Sequence, residues 1–226
     1  MTITAAADGS ALGNPGPAGW AWYVDDDRWD AGGWKHATNN IGELTAVLEL
    51  LRATAHLDDD LLILCDSQYV INCVSKWMPG WKKKGWKKAD GKPVMNLELL
   101  KQIDEAIVGR RFRFEWVKGH AGHPLNEAAD ARARAASEAY SRGGRVPAGP
   151  GYPGAAPGAR IEIALDSPVE PEAPVESHTL FDALFDLDEP QVHTLELTLS
   201  PAEHSRLTAR ARQAGVPVEE FVRGLI

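Results

Sequence analysis

The 226-residue sequence predicts an α/β architecture: one five-stranded mixed sheet flanked by helices, followed by a small strand–helix–helix segment. Three observations lead there. Apolar residues recur with strand and helix periods along residues 1–140 in the order βββαβααβα. One of these stretches, Leu61-Leu62-Ile63-Leu64-Cys65, is continuously apolar, as expected of a central strand covered on both faces. Composition then breaks near residue 141. All eight tryptophans and every lysine precede that point, and residues 141–175 hold 7 prolines and 6 glycines, too many for regular elements. The expected organisation is a folded domain over 1–141, a Pro/Gly-rich linker over 142–176 and an accessory segment over 177–226.

Thr2 to Ala7 reads as a strand ending at the turn Asp8-Gly9-Ser10, and Asn14-Pro15-Gly16-Pro17 is turn chemistry. Trp20 to Val24 and Trp29 to Trp34 read as strands joined by the acidic loop Asp25-Asp26-Asp27. Thr38-Asn39-Asn40 offers N-cap side chains to a helix carrying Leu44, Val47, Leu48 and Leu51. Asp66 ends the apolar run, and Ser67 can cap a helix bearing Val70, Ile71 and Val74. Residues 95–107 read as helix and Arg111 to Val117 as an alternating strand. Pro124 to Ala139 is an alanine-rich helix with proline in its first turn. Within the linker, Ile161 to Leu165 alternates like a short strand.

The chain is 44% hydrophobic and 25% charged, which excludes wholesale disorder, collagen and a bare coiled coil. No apolar run approaches the roughly 18–20 residues of a membrane helix, and no basic stretch with an apolar core follows Met1. Cys65 and Cys73 read as buried reduced thiols. The expected location is cytoplasmic.

Four carboxylates stand apart from ordinary surface charge. Asp8 and Asp66 each follow an apolar strand, Glu43 lies in the first turn of a core-facing helix, and Asp130 lies mid-helix among alanines. Singly, each reads as a turn former or a helix-end charge. Adjacent strand ends, however, put Asp8 and Asp66 side by side, and a helix packed across the sheet brings Glu43 to them. Gathered like charges raise one another's pKa unless a cation sits among them. An all-oxygen ligand set favours Mg²⁺ or Mn²⁺, and two such ions suit phosphodiester cleavage.

Four blocks of sequence, in order, resemble bacterial type 1 ribonuclease H over nearly all of residues 1–140. They are Thr4 to Pro17, with Asp8-Gly9-Ser10 and Gly13-Asn14-Pro15-Gly16-Pro17; Thr38 to Leu44; Asp66 to Val70; and Trp116 to Glu127, with its Gly119-His120-Ala121-Gly122-His123. The resemblance implies the ribonuclease H fold and a two-metal endonuclease cutting the RNA strand of RNA–DNA hybrids to 5′-phosphate and 3′-hydroxyl ends. It implies Asp8, Glu43, Asp66 and Asp130 as the metal-binding carboxylates, with Asp130 matched by spacing, since the family's Cys-Asp pair reads Ala129-Asp130 here. His120 takes the place of the family's loop histidine, suited to proton shuttling or product release, whereas His123 reads as a cap or surface residue.

Lys76 to Lys92 contains seven lysines, one acid and three tryptophans. Lysines neutralise phosphates, and indoles rest against sugars and bases, so Trp77, Trp81, Lys82, Lys83, Lys84, Trp86, Lys87 and Lys88 are candidate substrate contacts. The stretch is similar to the basic protrusion that holds the DNA strand in type 1 enzymes. The net charge of −8 does not oppose this, because distribution matters more than the sum. The resemblance further implies Asn14, Asn40 and Gln68 at the RNA sugars and base edges, and Thr38, Asn39 and Asn72 on the DNA side, with Trp77 against a deoxyribose.

In the accessory segment, Ser177 to Asp188 is acidic and amphipathic. Its Leu180–Leu187 stretch suits either a groove on a protein partner or a surface of its own domain. His193 to Leu199 alternates as a strand, Ser200-Pro201-Ala202-Glu203 forms a capping box, and Gly215 and Pro217 separate two helices. This pattern resembles a ribbon–helix–helix module and implies self-association through strand pairing. Glu196, in the outward set with Thr194 and Thr198, opposes DNA reading. Two other readings compete with the hybrid nuclease. A non-catalytic nucleic-acid-binding regulator is opposed by retention of all four carboxylates. An integrase or junction resolvase of the same broad fold fits the basic tryptophan segment and the histidine loop poorly.

Overall fold

The computed structural model describes residues 1–144, 146 and 148–155. The short strand expected at Ile161–Leu165, the Leu180–Leu187 stretch and the strand–helix–helix pattern from about residue 191 lie outside them. Five strands, β1 (Thr2–Ala11), β2 (Gly16–Asp25), β3 (Arg28–Ala37), β4 (Asp60–Cys65) and β5 (Phe112–Trp116), form one mixed sheet in the order β3-β2-β1-β4-β5. The first three strands form an antiparallel meander, and β4 and β5 run parallel to β1. Between β1 and β4 the register runs from Thr2 opposite Asp60 to Ala6 opposite Leu64. The same offset sets Asp8 level with Asp66.

Side-chain alternation divides the sheet's two faces. Ala5 and Ala7 join Leu44, Val47, Leu48, Leu51, Ile63 and Leu100 in the large core under α1 (Asn39–Ala53) and α4 (Leu97–Ala106), whereas Ala6 and Leu64 pack with Ala129 of α5 (Pro124–Arg142). Helix α5 crosses the meander through small residues, Ala133 packing with Ala21 and Ala31. Arg132 is clasped between two rings, 4.3 Å from the Tyr23 centroid and 4.6 Å from that of Trp29, and reaches Asp26 at 3.2 Å. Among the described residues no helix is long and apolar enough to cross a membrane.

Four local expectations are revised. Strand β1 continues to Ala11, so Asp8 lies within the strand rather than after it. Thr38 alone caps α1, accepting from the Ile41 N–H at 3.4 Å, and Glu43 therefore sits one turn further into the helix than its first turn. The helix opened by Ser67 is broken into α2 (Gln68–Asn72), a π-helical turn at Cys73–Trp77 and α3 (Met78–Lys83). Pro79 explains the break, because it lacks an N–H and its ring crowds the preceding turn. Helix α5 runs to Arg142, where Gly143 stops it in the left-handed conformation at φ 65°.

Residues 148–155, read from composition as linker, lie along the free edge of β3. Gly151 donates to the Trp29 carbonyl at 3.0 Å and Gly149 to Asp30 at 3.0 Å. Tyr152 accepts from Arg28, and the Pro153 carbonyl lies 3.1 Å from His56 Nε2. The segment covers sheet edge that would otherwise stand open.

Candidate active site

Asp8, Glu43 and Asp66 converge where β1, β4 and the start of α1 meet, each offering a carboxylate oxygen within 4.8 Å of the others. Gly9 is what permits it. A Cβ there would lie 2.4 Å from the Glu43 nitrogen, so only glycine lets the α1 backbone press onto β1. Asp8 is 5% exposed and Glu43 8%. Asp8 accepts the Gly9 N–H at 2.7 Å, and Glu43 accepts from the Asn39 amide at 2.8 Å. Burial chiefly, then the charges of Asp66 and Glu43, push the Asp8 carboxyl up to about 9 against the Gly9 N–H, which acts to lower it. An all-oxygen trio, two of its members buried and Asp66 half-buried, whose charges oppose one another fits a hard divalent cation.

Asp130 stands across the same cleft rather than in the trio. With His120 and Glu127 it forms a second group whose ligand atoms lie within 4.8 Å of one another, and it adds to the field that raises Asp8. His120 is exposed, adopts a left-handed φ of 51°, and holds Nδ1 3.6 Å from Asp130. Glu127 accepts the Gly122 N–H at 3.1 Å, which ties the histidine loop to α5. Arg134 also lines the cleft, reaching Glu138 at 3.4 Å. Sequence reasoning passed over Glu127 and Arg134. The four-residue step from Asp130 to Arg134, which puts both on one helix face, was the available signal for the latter.

The remaining candidates divide. Asn14 accepts the Asn39 N–H at 3.1 Å and so couples the turn after β1 to the start of α1, beside a half-buried Asn40. Gln68 is exposed. Thr38 is 3% exposed, with its hydroxyl used in the cap. Asn72 is half-buried, its Oδ1 lacking a partner. Lys82, Lys83, Lys84 and Lys87 are exposed, Lys88 is half-buried, and Lys82 pairs with Asp104 at 2.7 Å. Trp77 and Trp86 are half-buried against the main core, whereas Trp81 belongs to it at 9% exposure, 5.7 Å from Trp77. The expected row of three available indoles is thus two partly open rings over a buried one, because Trp81 anchors the protrusion to the core. Cys65 and Cys73 are free and buried, which raises both thiols, that of Cys73 to about 12.

Comparison with known proteins agrees with this geometry. The family model "RNase H" matches residues 1–138. The ribonuclease H of Tropheryma whipplei (strain Twist) is 58% identical over 151 residues, covering 66% of this chain and 93% of the relative. The ribonuclease HI of Streptomyces coelicolor is 52% identical over 142 residues, 60% of each chain. Among solved structures, LC9-RNase H1, a type 1 RNase H with the type 2 active-site motif, superposes with a TM-score of 0.54 at 29% identity, covering 67% of this chain and 77% of that one.

Proposed function

We propose that this chain, which belongs to the RNase H family and is a ribonuclease H enzyme, cuts the RNA strand of RNA–DNA hybrids endonucleolytically, leaving 5′-phosphate and 3′-hydroxyl ends. The observation that carries the reading is the convergence of Asp8, Glu43 and Asp66, with Asp130 across the cleft. These four side chains would hold two Mg²⁺ ions, with Mn²⁺ as a substitute. When bound, such ions lower the pKa of a water and offset charge on the attacking and leaving oxygens.

The chain's own residues supply the rest. Burial of Asp8 and Glu43 keeps competing water from their oxygens. Arg134, a cation at a cleft otherwise rich in carboxylates, offsets their repulsion of an incoming phosphate. Exposed His120 takes up or hands on a proton at Nε2 while Nδ1 faces Asp130. The lysines of residues 82–88 engage phosphates of the DNA strand, with Asn39 on the same side, and Asn14, Asn40 and Gln68 flank the path on which 2′-hydroxyls are sensed.

The test is a labelled RNA–DNA hybrid, an RNA duplex and a DNA duplex, each incubated with wild type and Asp8→Asn, in Mg²⁺ and in EDTA, with product ends mapped. Cleavage of the hybrid alone, dependent on Mg²⁺ and lost in the variant, is expected. Equal cleavage of either homoduplex, or full activity in EDTA, refutes the proposal.

A further inference from the structure

We infer that Asn126 is a positioning residue, fixing the Asp66 carboxylate in the orientation that binds the divalent cation. The inference rests on the metal reading above and goes beyond it. Asn126 occupies the third position of α5 and is 2% exposed. Its Nδ2 points at Asp66 Oδ2 from 3.4 Å, while its Oδ1 is buried without a partner. A buried amide with one end unsatisfied is unfavourable, and asparagine is a weaker helix former than the alanine that is the commonest residue of α5. Neither fold nor helix calls for it there, and it makes no cap hydrogen bond. The contact that accounts for the side chain is the one to Asp66.

Two further contacts close on the same aspartate. A Cβ on Gly119 would lie 2.5 Å from Asp66 Oδ2, so the loop between β5 and α5 crowds the oxygen that Asn126 meets. The exposed Trp116 indole donates to the Asp66 main-chain carbonyl at 3.0 Å. Asp66 follows the last residue pair of β4 and β5, Cys65 opposite Trp116. No ladder fixes it there, and a side chain free to rotate would pay its ordering entropy when the cation binds. Holding one oxygen from behind leaves the other for the ion. An amide N–H suits the task because it orients the carboxylate without neutralising it, whereas a lysine or arginine would cancel the charge that attracts the metal.

The test uses the full chain without nucleic acid. Mn²⁺ and Mg²⁺ are titrated calorimetrically into wild type, Asn126→Ala and Asn126→Leu, the last keeping the buried volume without a donor. Both variants should bind at least about ten-fold more weakly. The Mg²⁺ concentration for half-maximal hybrid cleavage should rise by the same factor, with kcat recovering at saturating Mg²⁺. Metal-free melting should stay level or improve. Unchanged metal affinity in either folded variant, whether or not melting falls, overturns the inference. Failure of wild type to bind either ion overturns the metal reading itself and is seen before any variant is needed.

Discussion

Replacing Asp8 with asparagine should make the metal-free protein more stable while removing its activity. The folded carboxyl is raised to about 9 from an ordinary 3.8. At pH 7.5 it is therefore still protonated in the folded protein and ionised in the unfolded chain. At 1.36 kcal/mol per pH unit that difference opposes folding by about 5 kcal/mol. Relaxation of the site reduces this, and the gain expected for the neutral isostere is ~2–5 kcal/mol, or roughly 5–15 °C in Tm for a domain of this size. The sign with pH follows. A carboxyl with a raised folded pKa contributes fully below about pH 4, and that contribution is lost as pH rises towards 9. The advantage of Asp8→Asn should thus shrink to about 1–2 kcal/mol at pH 5. It should narrow again when Mg²⁺ is added, because the ion stabilises wild type preferentially. Urea denaturation in EDTA at pH 5, 6, 7 and 8, repeated in Mg²⁺, measures all of this. A variant less stable than wild type in EDTA, or an advantage constant from pH 5 to 8, would refute the reasoning.

Substitutions at three other places probe separate parts of the molecule. His120→Ala should lower kcat by about 10²-fold without abolishing cleavage and with little change in KM, read from steady-state hybrid hydrolysis. Simultaneous alanine substitution of Lys82, Lys83, Lys84, Lys87 and Lys88 should weaken hybrid binding and flatten its dependence on log salt by about 0.9 per lost phosphate contact, while turnover at saturation persists. Wild-type affinity at low salt would remove the protrusion from the substrate path. Arg132→Ala should cost about 1–2 kcal/mol in urea denaturation through loss of the Tyr23–Trp29 clasp. Arg132→Lys should restore only part of that, since an ammonium lacks the planar face that lies between the rings.

Much of this was legible in the sequence, for identifiable reasons. The uninterrupted apolarity of Leu61–Cys65 marks a strand covered on both faces, and it stands fourth of five in the sheet. The blocks of resemblance put Asp8, Glu43, Asp66 and Asp130 forward as one set of four, of which the fold brings the first three within reach of one another and leaves Asp130 in the neighbouring group with His120 and Glu127. Less visible was what depends on chain crossing. Pattern alone ends β1 at Ala7, because Asp8-Gly9-Ser10 looks like a turn, although the chain stays paired with β2 from Asp8 opposite Ala21 to Ala11 opposite Ala18. The tryptophans at 77, 81 and 86 look equivalent in a lysine-rich stretch, and only the turn around Pro79 decides that Trp81 goes inward. The proline and glycine content of residues 148–155 speaks for an irregular backbone. It does not say that this backbone runs along β3.

The site's geometry is set by the absence of side chains as much as by their presence. A Cβ on Gly9 would fall 2.4 Å from the Glu43 nitrogen, and one on Gly19 would fall 2.1 Å from the Ala133 carbonyl oxygen. Each glycine lets one helix lie with its backbone against the sheet. The first contact is at Glu43 itself, and the second is three residues along α5 from Asp130. Four mutually repelling carboxylates do not draw these helices together; left to themselves they would drive them apart. The approach is held by close packing of small residues on both faces of the sheet, Ala5 and Ala7 on one side and Ala6, Ala21 and Ala31 on the other. Packing therefore prepays the repulsion, and a divalent cation arriving at the trio meets ligands already in place. That is why a carboxyl raised so far by burial and by its acidic neighbours marks Asp8 as part of a binding site rather than a flaw in the fold.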